Sequence, residues 1–202
     1  MKKILVTGFE PFGGESINPS WEAVKRLPEE IDGYAIEKLE LPVEFGRCAQ
    51  LAEATVLAAS PAAVVCVGQA GGRNNVTPER VGINLKDARI PDNGGAQPKE
   101  EPIDPNGPDA YFSTLPVSAM VQAMREAGVP AQASLTAGAY VCNDLLYEVL
   151  HKLHRRGIDI PAGFVHVPFI PEQVLDKNAP SLPLEQIITA LEAGIRAVIT
   201  SL

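Results

Sequence analysis

The chain is short of the groups that signal many common functions. Its 202 residues include three cysteines and three histidines. Cys48, Cys66 and Cys142 are odd in number, widely spaced and without a CxxC pair. That argues against a disulfide framework, offers no zinc motif and fits a reduced, cytosolic setting. Basic residues are in deficit, 17 Lys and Arg against 25 Asp and Glu, for a net charge of −8. An acidic surface disfavours nucleic acid and anionic membrane as partners. Long apolar runs are also missing. Ile4-Leu5-Val6 is too short for a signal-peptide core, and no window reaches the length of a membrane span. The glycine-rich stretch Gly8–Gly14 has proline inside it and no GxGxxG spacing, which leaves a dinucleotide site without support. No internal repeat or linker is visible, so residues 1–202 read as one domain.

What is present is an ordinary globular composition, 46% hydrophobic, with strand-like and helix-like segments in alternation. Lys3–Phe9, Ala35–Val43, Ala62–Gly68, Ala131–Ala139 and Gly163–Phe169 read as strands. Ala62–Gly68 has the unbroken apolar run of a central parallel strand. Helices are expected at Ser20–Leu27, with Asn18-Pro19 as cap and first turn, and at Arg47–Ala59, with Leu51, Ala54, Thr55 and Ala58 along one face. Further helices are expected at Val117–Ala127, Asn143–Arg156 and Leu184–Ile199, the fourth with an apolar stripe of Leu145, Leu146, Val149, Leu150 and Leu153. Val81–Ile90 suggests an extended or hairpin segment, and residues 97–109 an exposed loop. The pattern predicts an α/β fold with a mostly parallel twisted sheet and helices on both faces. Such sheets bind ligands beyond the carboxyl ends of their strands, where Phe9, Gln69, Cys142 and His166 all fall.

Cys142 sits where a small-residue stretch meets the fourth helix. A sulfur in a first helical turn is favoured as thiolate by the unpaired N–H groups and the dipole, and a thiolate is a nucleophile. The alternative is a buried core cysteine, the reading that Cys48 and Cys66 invite. His166 interrupts an apolar strand, as a catalytic base or as a hydrogen-bonded structural residue. Glu79 is either an orienting carboxylate or a surface partner of Arg80. Cys142, His166 and Glu79 together would make a Cys-His-acid set. Phe9 and Phe12 flank a proline, as core plugs or as walls for a small, flat, neutral ligand. His151 and His154 have a metal-pair spacing but no third ligand nearby, and read as solvated residues at a helix C-terminus.

Several of these segments coincide with motifs of one family. Val6-Thr7-Gly8-Phe9-Glu10-Pro11-Phe12-Gly13-Gly14 with Asn18-Pro19-Ser20, Gly68–Arg73 leading to Glu79-Arg80-Val81, Asn84–Asn93, Gly138–Asn143 and Phe164–Pro168 occur in order along almost the whole chain. The sequence thereby resembles the pyroglutamyl peptidase I (pyrrolidone-carboxylate peptidase) family. The resemblance implies a cysteine exopeptidase that removes N-terminal pyroglutamyl residues from peptides. It places the nucleophile on Cys142, the general acid/base on His166 and the orienting carboxylate on Glu79. It also implies a cytosolic homotetramer without metal or organic cofactor. On that footing Phe9 and Phe12 are candidate walls for the lactam ring and Gln69 a polar contact to it. The Cys142 backbone N–H is a candidate oxyanion donor. Arg89 is a second one, unless it is a surface cation in a hairpin. The rival readings are a non-catalytic lactam-binding module of the same fold and a metal hydrolase built on His151 and His154.

Overall fold

The computed structural model describes residues 1–202. Its main sheet has strands β1 (Lys3–Phe9), β2 (Glu30–Ile31), β3 (Tyr34–Leu41), β4 (Ala63–Gln69), β5 (Thr77–Pro78) and, after two short strands, β8 (Ala162–Val167). The order is β2-β3-β1-β4-β8-β5. β3, β1, β4 and β8 are parallel, and β2 and β5 join the edges antiparallel. β6 (Val81–Ile83) and β7 (Ala110–Phe112) form a separate antiparallel pair. The expected hairpin is thus closed across a long connection instead of within 81–90. The helices are α1 (Pro19–Val24), α2 (Arg47–Ala59), α3 (Val117–Glu126), α4 (Val141–Arg156) and α5 (Leu184–Thr200).

Both faces of the sheet are covered, and the central strands, mostly apolar, are buried at nearly every position. Ile4 and Val6 of β1 point into one core with α1, α3 and α5, whereas Leu5 points into a second core with α2 and α4. The cap of α1 is as the sequence predicts. Asn18 Oδ1 accepts from the Ser20 N–H at 3.1 Å, and Pro19 opens the helix. The stripe of α4 is also as expected, with Leu145, Leu146, Val149, Leu150 and Leu153 all buried. The connection over 97–109 is exposed for the most part. It is tied to the far half of α4 by the Tyr147 hydroxyl on the Pro108 carbonyl (2.8 Å) and by Asp104 on His151 (2.9 Å).

Two expectations are corrected. Ala131–Ala139 is not a strand of the sheet and makes only isolated bridges, Ala131 to Val76 and Ser134 to Glu79. Its neighbour β5 is two residues long and ends in Pro78, which has no N–H for a ladder. The buried stripe of α2 is Cys48, Ala49, Ala52 and Val56, while Leu51 faces solvent. Small side chains face inward here and let α2 lie close against α4.

One buried charge joins these two helices. Asp144, in the first turn of α4, is buried, and its Oδ2 accepts from the Gly46 N–H at 2.8 Å. Burial pushes its carboxyl up to about 6, against the pull of that hydrogen bond. A folded-state value above the unfolded one means that this group's stabilisation is complete below about pH 4 and is lost as pH rises through about 6. Asp144→Asn should therefore raise stability at pH 7 by about 2–3 kcal/mol and give little change at pH 4. Urea unfolding at the two pH values is the measurement, and an equal effect at both would refute the account.

Candidate active site

The carboxyl ends of β1, β4 and β8 and the amino end of α4 enclose one cavity of about 750 Å³. Phe9, Phe12, Gln69, Arg89, Cys142 and His166 all line it, so the structure gathers six of the seven residues singled out in the sequence. The seventh, Glu79, lies behind the wall and reaches it through His166.

α4 begins at Val141, which puts Cys142 in its first turn. The helix cap, Tyr140, supplies no side-chain acceptor, so the first N–H groups stay available to a ligand. The sulfur has room because residue 68, its neighbour on β4, is glycine. A Cβ there would stand 2.9 Å from Cys142 Sγ and 2.6 Å from Phe164 Cζ. Cys142 is half-buried, whereas Cys48 and Cys66 are fully buried core residues, as their sequence setting suggests.

The helix start does not by itself make a thiolate. Burial, then the charge of Glu79, pushes the Cys142 thiol up to about 12, and Arg73 opposes this only in part. The expectation drawn from the dipole is corrected here: desolvation outweighs a half-charge at the end of a helix. The resting sulfur is a thiol that needs a base.

His166 lines the same cavity and carries a group able to act as one. Its Nδ1 lies 2.7 Å from Glu79 Oε1, which leaves Nε2 as the ring nitrogen on the cavity side. Burial lowers the imidazole from its ordinary value, Glu79 raises it and Arg73 lowers it, with a net fall. The ring is thus neutral near pH 7 and Nε2 is an acceptor. No hydrogen bond joins it directly to the thiol.

Glu79 is 0% exposed. The surface pairing with Arg80 does not occur: Arg80 turns to the Ser118 hydroxyl, and Glu79 pairs with Arg73 at 2.6 Å. Burial would raise its carboxyl, but His166, Ser134 and Arg73 together hold it below the usual range. Arg73 also donates to the Thr136 carbonyl at 2.8 Å and to the Thr77 hydroxyl. Sequence reading overlooked Arg73, because an arginine closing a glycine-rich loop resembles any solvated turn residue.

The pocket walls are aromatic and the polar groups few. Phe9 is buried against Phe164, with ring centroids 6.4 Å apart, and Phe12 packs on Tyr140 at 6.1 Å. Phe169, a lining residue not anticipated, lies over Gly71, where a Cβ would stand 2.2 Å from its ring. Gln69 Oε1 accepts from Gln173 Nε2 at 2.9 Å, which leaves the Gln69 amide N–H groups as donors. Of the two carboxylates in the lining, Glu15 pairs with Lys177 and Asp87 with Lys99. The Arg89 guanidinium makes no ion pair and is exposed beside the cavity, in a bend instead of a hairpin.

His151 and His154 lie outside the site. His151 is buried, not solvated, held between the Tyr111 hydroxyl (2.9 Å) and Asp104. His154 is exposed beside the Tyr111 ring.

Two outcomes test this geometry. Gly68→Ala should displace the sulfur and lower turnover by about 100-fold, the scale of a 1 Å misplacement, while circular dichroism stays native. Iodoacetamide should label Cys142 before Cys48 and Cys66, because access and not thiolate fraction separates them. Its rate should be slow at neutral pH and climb steadily in alkali. Mass spectrometry of the modified peptides reads both.

Residues 2–201 match the family model described as Pyroglutamyl peptidase. The pyrrolidone-carboxylate peptidase of Levilactobacillus brevis is 52% identical over 198 residues, covering 98% of this chain and 97% of that protein. The pyrrolidone-carboxylate peptidase of Thermococcus onnurineus is 54% identical over 194 residues, covering 96% and 97%. The crystal structure of Bacillus amyloliquefaciens pyroglutamyl peptidase I superposes with a TM-score of 0.95 at 46% identity, covering 99% of this chain and 98% of that one.

Proposed function

The chain belongs to the pyroglutamyl peptidase family, and from that premise we propose that it hydrolyses the bond after an N-terminal pyroglutamyl residue, with Cys142 as nucleophile, His166 as general acid and base, and Glu79 as the carboxylate that orients the imidazole. The observation that carries this reading is the 2.7 Å contact of Glu79 with His166 Nδ1, with Nε2 and Cys142 on one cavity. It makes a base of the ring nitrogen that shares a wall with a thiol otherwise held protonated.

The steps follow from these protonation states. The Cys142 proton passes to Nε2 as sulfur attacks the pyroglutamyl carbonyl carbon. The oxyanion that forms accepts from the Cys142 backbone N–H at the uncapped helix start, with Arg89 as second donor; each such donor is worth about 2.7–4 kcal/mol in the transition state. Collapse expels the peptide amine, which takes the proton from Nε2 and leaves a thioester. Water then attacks the thioester, Nε2 takes its proton, and pyroglutamate departs as the thiol is restored. Protein groups and water balance every step.

The pocket suits a lactam. Pyroglutamate carries no α-ammonium and needs no counter-charge, and the lining carboxylates, Glu15 and Asp87, are already paired. Phe9 and Phe12 serve as walls for the flat ring, and Gln69 offers an amide N–H to its carbonyl. Leaving such a buried polar group unpaired costs about 1–3 kcal/mol, which favours the cyclic amide over an apolar mimic.

A cytosolic homotetramer belongs to the same reading. No helix is long and apolar enough to cross a membrane. Sedimentation at four chain masses is the expected result.

Cys142→Ala should abolish cleavage of a pyroglutamyl-arylamide without unfolding the chain; undiminished turnover in that variant would refute the nucleophile. Lactam binding without turnover in the unmodified protein would favour the binding-module reading. The acid limb of kcat/KM should fall below about pH 6.5, because burial depresses the imidazole whose protonation blocks Nε2. A limb clearly above that value would contradict a neutral resting histidine.

A further inference from the structure

We propose that Arg73 is a positioning residue of this site: its guanidinium is the fixed counter-charge that keeps Glu79 ionised while His166 stays neutral, and so keeps Nε2 free to take the thiol proton. The proposal rests on the reading of Cys142 and His166 given above and adds a fourth group to it.

The geometry is that of three bodies around one oxygen. Glu79 Oε1 receives both Arg73 Nη1 at 2.6 Å and His166 Nδ1 at 2.7 Å, while Oε2, equally buried, has no hydrogen-bond partner. Beyond these two, only the Ser134 hydroxyl helps to hold its charge. With only the neutral imidazole and a hydroxyl as neighbours it would be an uncompensated anion out of water. Two proton movements would relieve that. The carboxyl could take a proton, or the imidazole could become an imidazolium and act as counter-ion. The second fills Nε2 and removes the base.

A guanidinium at 2.6 Å closes the charge balance without either movement. Arginine suits the task because it does not lose its proton and because its planar fork reaches acceptors in several directions. Here the fork reaches three acceptors on two segments: the Thr77 hydroxyl and Glu79 at and just after β5, and the Thr136 carbonyl in the stretch before α4. Its side chain is 27% exposed, so the head group stands at the cavity rim while the carboxylate it serves is fully enclosed. The charged and titratable groups around the imidazole are Glu79 and Arg73 on the Nδ1 side and Cys142, backed by Cys66, on the cavity wall. The Phe164 ring, centred 4.8 Å away, is apolar. Among these Arg73 is the one permanent cation. It opposes a second positive charge on His166 and offsets part of the repulsion that Glu79 exerts on a Cys142 thiolate.

The test compares Arg73→Met with Arg73→Lys, following kcat/KM for a pyroglutamyl-arylamide against pH and the ¹⁵N resonances of the His166 ring against pH. In Arg73→Met the acid limb and the imidazole titration should both move up by about one pH unit or more. The loss of activity should be about tenfold or larger at pH 6 and should narrow toward pH 9. Arg73→Lys keeps a charge and should hold the limb within a few tenths of the parent value, with kcat lowered by the poorer fit. An unmoved titration in Arg73→Met, with the same fractional loss at every pH, would make Arg73 a structural brace and overturn the proposal. Failure of both Arg73→Met and Arg73→Gln to fold would overturn it in the same way. Failure of the parent protein to cleave the arylamide would strike the functional reading instead, and the ring titration would still judge Arg73 independently.

Discussion

A carboxylate without access to water organises this cavity. Glu79 is enclosed on all sides, and a buried anion persists only where cations or strong donors meet it. Two of the groups that meet it, Arg73 and His166, come from the loop after β4 and from β8, and they converge on the same oxygen. The β5 edge strand holds Thr77 beside the arginine. The requirement to neutralise one charge thus ties together segments far apart in the chain, and it fixes which nitrogen of His166 faces the cavity.

The thiol is governed by the opposite balance. The end of a helix favours a sulfur anion, but the sulfur sits against the apolar underside of β4 and the Phe164 ring and near a second anion, and those terms win. A thiol beside a neutral imidazole is the result, not a preformed ion pair. In the proposed mechanism, charge separation is then deferred to the moment at which substrate displaces water and the developing oxyanion gains the N–H groups of the first helical turn. The same chemistry explains the spare polarity of the pocket: a neutral lactam needs few partners, and every surplus buried charge would have to be matched.

Much of this was readable in the chain. Unbroken apolar runs such as Ala62–Gly68 can only be covered on both faces, and Asn18-Pro19 caps α1 by local geometry alone. Cys142 and His166 stood out because a reactive side chain broke a small-residue or apolar stretch. Other features were not local. Whether Leu51 or Ala52 faces inward depends on how closely α2 approaches α4. Ala131–Ala139 has strand-forming composition but borders a two-residue edge strand that cannot pair along its length. Arg80 adjoins Glu79 in the chain and Arg73 lies six residues before it, yet the fold makes the more distant arginine its partner. His151, which reads as solvated, is buried by a loop about 40 residues earlier in the chain.

Periodicity, capping residues and motif order in the sequence alone determined the α/β layering and singled out the strand ends and the residues Cys142, His166 and Glu79 from which the proposed site is built. Those signals depend on each residue's neighbours along the chain. The tertiary structure alone decided the protonation states on which the set depends: a protonated Cys142, a neutral His166 and an ionised Glu79 held by Arg73. Proton affinity is set by burial and by charges within a few ångströms, and those distances exist only once strands and loops from opposite ends of the sequence have come together.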